Sequence, residues 1–163
     1  MVKFMYYLNY FFIFSILGHL FEVILNGKSG ILFGFWTPIY GIGVIIILFI
    51  NKFINKFKLN GFKRFITLFL MCSFILACIE ALGGYLIEWI FNKSMWNYSK
   101  LMFNIGKYTA LEMALLWGVG SIIFVYLLKP LIDKKINKIP KYSTYFLSLL
   151  FIIDIILTII FKH

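Results

Sequence analysis

The stretch FITLFLMCSFILACIEALGGYLIEWIF, residues 65–91, decides the fold class, because Glu80 and Glu88 are its only charged side chains. A membrane-spanning helix needs about 20 consecutive, mostly apolar residues, and this run exceeds that length. The chain repeats the pattern: further apolar runs occupy residues 4–25, 31–50, 108–128 and 142–161, separated by short polar or basic links. The composition agrees, with 63% hydrophobic, 21% aromatic and 13% charged residues and a mean hydropathy of +0.96. A soluble domain carries roughly a quarter charged residues, so water is not the main solvent of this chain. The expected fold is all-α, a polytopic transmembrane bundle of about five helices over approximately 4–25, 36–54, 65–91, 108–128 and 142–161. With 163 residues, one transmembrane domain over 1–163 is expected, with no separate soluble domain.

The second run is the irregular one. Gly34, Pro38, Gly41 and Gly43 all fall within it, so a regular helix is expected over residues 39–54, with 31–37 entering as irregular or re-entrant chain. The first run, after Met1-Val2-Lys3, has the outline of a signal peptide. No small-x-small cleavage site follows, however, and His19 and Glu22 interrupt its far end, so it reads as a retained helix. Cys72 and Cys78 lie six positions apart in one run, about 9 Å along a helix and beyond disulfide reach.

The net charge of +10 does not point to nucleic acid, because the cations sit in short links between apolar runs, as membrane insertion uses them. Residues 51–64 carry Lys52, Lys56, Lys58, Lys63 and Arg64, and residues 129–141 carry Lys129, Lys134, Lys135, Lys138 and Lys141. With Lys3, eleven of the sixteen cations fall on one side of a five-span arrangement. That side is expected to be cytoplasmic, with the N-terminus inside and the C-terminus outside the bacterial cell membrane.

This topology gathers the acids. Only Asp133 falls in a cytoplasmic link, whereas Glu22, Glu80, Glu88 and Glu112 lie toward the outer ends of their helices and Asp154 about two-thirds of the way along the last. An acid at the hydrocarbon centre costs roughly 2.5–3.5 kcal/mol, and such groups usually face protein or a water-filled cavity. Glu80, Gly84 and Glu88 advance by about 40° per step, so both carboxyls share one stripe with a close-approach glycine between them. His19 and Glu22, three apart, can share a face. The candidate pocket is therefore His19, Glu22, Glu80, Glu88, Glu112 and Asp154. The outer links add Trp36, Tyr40, Trp96, Asn97, Tyr98, Ser99, Asn104 and Lys107, side chains that stack and donate hydrogen bonds. An interfacial aromatic belt accounts for the rings alone, but not for Asn97, Ser99 or Asn104. Ala110, Ala114 and Gly118, at four-residue spacing, read as a helix-packing face.

No G-x-x-x-x-G-K-[ST] phosphate loop, G-x-S-x-G nucleophile motif or H-E-x-x-H pair is present. The only histidines are His19 and His163. No enzyme activity, metal site or cofactor is therefore expected, and nothing in the sequence fixes an oligomeric state.

Several segments carry a resemblance in their order and spacing: Glu22; Pro38-Ile39-Tyr40-Gly41-Ile42-Gly43; Glu80 to Glu88; Trp96-x-Tyr98-Ser99; Phe103-Asn104-x-x-Lys107; Glu112 with Trp117-Gly118; and Pro130 followed by Ile139-Pro140. Together they resemble the ABC-transporter permeases of the CmpB type, small bacterial multi-pass membrane proteins. Asn97 stands where that family tends to have Asp, and Lys107 where it tends to have Arg, which replaces a planar fork with a point charge. The resemblance implies transport, and without a phosphate loop in this chain any ATP hydrolysis would come from a separate ATPase subunit. The leading expectation is a transport-related subunit whose acidic, aromatic outer pocket contacts a cation or polar solute. The alternatives are a membrane-embedded enzyme acting on a lipid or envelope precursor, and an accessory subunit that binds another membrane protein. The expected surroundings are the lipid bilayer and other membrane subunits.

Overall fold

The computed structural model describes residues 3–162 and is all-helical, 77% helix with no strand among the described residues. Six α-helices follow one another: α1 (Lys3–Asn26), α2 (Pro38–Ile54), α3 (Gly61–Phe91), α4 (Leu111–Ile123), α5 (Lys129–Ile136) and α6 (Lys141–Lys162). A π-helical segment, Phe124–Leu128, joins α4 to α5 without a break, so Leu111–Ile136 forms one span. Among the described residues, five helices are long and apolar enough to cross a membrane.

The boundaries follow local chemistry. The chain from Gly27 to Thr37 is non-helical, and α2 begins at Pro38, where a residue without an N–H sacrifices no intrahelical bond. The helix α3 starts earlier than its apolar run, because the Asn60 side chain accepts the Lys63 N–H (3.0 Å) and caps it. The fourth span corrects the expectation at both ends. It begins at Leu111 rather than 108, since Ala110 is still extended (φ −152°, ψ 156°). At its other end, residues 129–136 are helical rather than a link. Pro130 would collide with the carbonyl four residues back in a regular α-helix, but the preceding turn is widened, with the Lys129 N–H bonding the Phe124 carbonyl five residues back. Such a π-bulge lets the helix continue past the proline.

The chain forms two compact units, one made of residues up to Ile45 together with those from Asp133 onward, the other of Ile46–Ile132. In the first, α1 and α6 run side by side in the same direction. Thr144, near the start of α6, donates to Asn9 near the start of α1 (2.6 Å), and Lys162 at the end of α6 donates to the Ile31 carbonyl beyond the end of α1 (2.6 Å). Gly41 lets α2 reach α1: a Cβ there would lie 2.5 Å from the Phe11 carbonyl oxygen. In the second unit α3 packs on α4, with Gly118 buried so closely against Ser73 and Phe69 that a Cβ would overlap both. Large apolar side chains such as Ile24, Phe74, Leu82 and Trp89 point outward, while Asn9, Ser15, Ser121, Thr144 and Thr158 are buried. So many large apolar side chains on the outside depart from the surface of a water-soluble protein and suit a lipid solvent.

Candidate functional site

In the second unit, the stripe of α3 is covered by the link that follows it. Glu80 is only 6% exposed, and its Oε1 accepts the Tyr98 hydroxyl at 3.1 Å. Its Oε2 is buried without a hydrogen bond, with the Trp117 side chain alongside. One turn further, Tyr108 packs flat enough on Gly84 that any Cβ would overlap its ring. A turn beyond that, Glu88 forms an ion pair with Lys107, whose Nζ lies 5.1 Å from the centre of the Tyr108 ring. Hydrogen bonding to Glu88, and to a smaller extent to Tyr108, holds the Lys107 ammonium above its ordinary pKa. Thus Tyr98, Tyr108 and Lys107 cover Glu80, Gly84 and Glu88 respectively.

The link achieves this because it is folded in its own right. Asn92, in the left-handed region (φ 49°), ends α3 and donates to the Glu88 carbonyl at 2.9 Å. The Tyr98 N–H bonds the Lys107 carbonyl (2.8 Å), and the Trp96 indole donates to the Tyr108 carbonyl (3.2 Å). A tight turn at Gly106 (φ 74°) is closed by the Ile105 N–H on the Thr109 carbonyl (2.9 Å). The polar candidates are used here: Asn97 Oδ1 accepts the Ser99 N–H (2.8 Å), and the Asn104 amide donates to the Gly106 carbonyl (3.2 Å). Glu112, in the first turn of α4, accepts the Phe103 N–H with Oε1 (3.2 Å), while its Oε2 is buried without a hydrogen bond. Tyr85 and Trp96 stand edge-on to Tyr108, with ring centres 4.9 and 5.8 Å away. The result is a carboxyl and aromatic surface of the kind that receives cations, on which the chain's own lysine already rests.

The candidates of the first unit surround the non-helical chain between α1 and α2. Asp154, 6% exposed, accepts the Phe33 N–H at 2.9 Å, the Gly34 N–H at 2.8 Å, the Trp36 indole N–H at 2.5 Å and the Thr158 hydroxyl at 3.2 Å. Glu22 accepts the Ser29 hydroxyl at 2.5 Å, Ser29 and Thr37 share a further bond, and the Thr37 N–H bonds the Ser15 carbonyl at 2.9 Å. His19 is buried with its ring edge-on to Phe35 (5.7 Å) and its Nδ1 without a hydrogen bond. Tyr40 lies on Gly18, and Trp36 packs edge-on to Phe151 at 5.7 Å. An irregular segment at membrane depth must have its amides satisfied by protein, and Asp154 does this for two of them.

One residue that sequence reasoning left in a link is also engaged, at the other end of α1. Asp133, on α5, accepts the hydroxyls of both Tyr6 and Tyr10 at 2.9 Å. The available signal was the four-residue spacing of the two tyrosines, which presents both hydroxyls on one helix face. Among the described residues, no three His, Cys, Asp or Glu side chains are grouped to hold a metal ion.

Five apolar helices with polar groups turned inward, and non-helical chain satisfied by buried acids, define a multi-pass membrane protein. Within that class, the chain belongs to the family described as "Putative ABC-transporter type IV", whose profile matches residues 9–161 and so contains every motif on which the resemblance rested. No curated protein matches the chain. No solved structure matches it either.

Proposed function

We propose that this protein is a membrane subunit of an ABC-type transporter in the bacterial cytoplasmic membrane, with its N-terminus inside. In this reading the carboxyl stripe of α3, beneath the link after it, contacts a cation or cationic solute at the outer end. The observation that carries the proposal is the Glu80 carboxyl, buried beside Tyr98 and Trp117 with one oxygen unbonded. A buried polar atom left unpaired costs about 1–3 kcal/mol. Asp154 and Glu22, by contrast, have their hydrogen bonds committed to the chain between α1 and α2. Without a phosphate loop, the chain carries out no ATP hydrolysis of that kind, and the energy comes from a separate ATPase subunit.

The test is thermal stabilisation of the purified protein by sodium, methylammonium and putrescine chlorides at constant ionic strength. Wild type is expected to be stabilised by at least one of them in a saturable manner. Glu80→Gln, which preserves shape, is expected to lose at least tenfold in apparent affinity for that cation. Equal response of wild type, Glu80→Gln and Glu88→Gln to every salt would sink the proposal.

A further inference from the structure

At the lysine-rich end of the first unit, a cleft of about 190 Å³ is lined by Met5, Asn9, Asn137, Ile139 and Lys141. Nothing in the transport reading uses it. Its floor is apolar, from the buried Met5 and the half-buried Ile139, and its rim is cationic and rich in donors, from the exposed Lys141 and Asn137. The helix α6 opens at Lys141, so the positive end of a 22-residue helix lies at the same edge.

Asn9 supplies the decisive detail. It is only 4% exposed, and its Oδ1 is committed to the Thr144 hydroxyl at 2.6 Å. That bond leaves the Nδ2 donors uncommitted, and the side chain borders the cleft. The uncommitted end of the Asn9 amide thus belongs to a side chain that lines a basic cleft. Asp133, which would repel an anion, does not line the cleft, and its carboxylate is engaged by Tyr6 and Tyr10. The orientation rule explains lysines at helix ends, but it does not explain a free amide donor beneath them. Asn9 lies six residues into α1, about 9 Å from its start, which is headgroup depth on the side expected to face the anionic inner leaflet.

We propose that this cleft binds a phosphate group, presented by an anionic phospholipid headgroup, with Lys141 and Asn137 at the rim and the Asn9 amide beneath. Apolar Met5 and Ile139 would lie against the glycerol end of the lipid. The site is independent of the carboxyl stripe and stands or falls separately.

The experiment is native mass spectrometry of the full chain released from mixed micelles, with phosphatidylglycerol and phosphatidylcholine as competing lipids and inorganic phosphate as a third arm. Wild type is expected to retain phosphatidylglycerol preferentially. Lys141→Gln, which removes one cation near the surface, is expected to weaken that retention about fivefold, and adding Asn137→Ala to weaken it further. Asn9→Asp keeps the acceptor for Thr144 while replacing the free donors, and is expected to abolish the preference; the two exposed variants keep the test valid if it fails to fold. Lys134→Gln and Lys135→Gln, on the same end but outside the cleft, are expected to change retention less than twofold. Equal retention of the two lipids, equal losses in the Lys134 and Lys135 controls, or displacement of the lipid by inorganic phosphate would each overturn the proposal.

Discussion

At the scale of single residues, the acids separate by what their oxygens do. Asp154 has both oxygens committed, and its partners are two backbone amides and an indole that lipid cannot satisfy. Removing it therefore costs more than the hydrogen bonds themselves, because the amides of Phe33 and Gly34 and the Trp36 N–H would be left without acceptors. Asp154→Ala is expected to destabilise the protein by at least about 3 kcal/mol, at roughly 1–3 kcal/mol per orphaned group. Asp154→Asn is expected to recover only part of this, since one of its two terminal atoms becomes a donor facing donors. Denaturant titration in detergent measures both losses, and cleavage by trypsin at Lys28 reports whether the chain between α1 and α2 is the part released. An unchanged midpoint for Asp154→Ala would show that the carboxylate does not hold that segment. Glu80 and Glu112 differ in kind, each retaining a buried oxygen without a partner.

At the scale of elements, the two long non-helical segments are held in opposite ways. The chain between α1 and α2 is pinned by a helix side chain 121 positions away in sequence, whereas the link after α3 folds on itself and lays its side chains on the helix it has just left. The close pairings were partly legible. Glu80, Gly84 and Glu88 could be placed on one stripe from helical spacing alone, and Tyr98 and Lys107 could be singled out as its neighbours in sequence. That Tyr98 covers one carboxyl and Lys107 the other was not legible, because it depends on the turns at Asn92 and Gly106. The grip of Lys107 has a pH signature. Its pKa is raised above the ordinary 10.5 chiefly by Glu88, so the folded state binds this proton more tightly than the unfolded chain. The contribution is fully present below the ordinary value and is lost as pH rises through the raised one. With 13C-labelled lysine, the Lys107 resonance is expected to titrate at higher pH in wild type than in Glu88→Gln. Identical titration in the two proteins would mean that the ion pair does not fasten the link.

At the scale of the whole molecule, what the sequence made legible is what the solvent dictates. Lipid cannot bond a free amide, so long apolar helices were readable from composition, and the irregular entry before Pro38 from its glycines and proline. The continuation through Pro130 was not, because a π-bulge leaves no compositional trace and Pro ordinarily signals a helix end. The pairing of Asp133 with Tyr6 and Tyr10 was hidden for a related reason: a lone acid among lysines has an adequate explanation as part of a solvated link. The orientation in the membrane rests on charge, and α3 provides a decisive test of it. Its 31 residues extend about 46 Å, longer than the roughly 30 Å hydrocarbon core, so its two ends are expected to lie in different aqueous phases. Lys58 and Lys63 mark one end and the link bearing Ser99 the other. In a background where Cys72 and Cys78 are replaced by Ala, Lys58→Cys and Ser99→Cys place single thiols on exposed positions at the two ends. A membrane-impermeant maleimide added to intact cells is expected to label Ser99→Cys and to reach Lys58→Cys only after permeabilisation. The reverse pattern would put the α3 carboxyl stripe at the inner face and remove the premise that it meets solute from outside. Labelling of both without permeabilisation would mean that α3 does not cross the membrane.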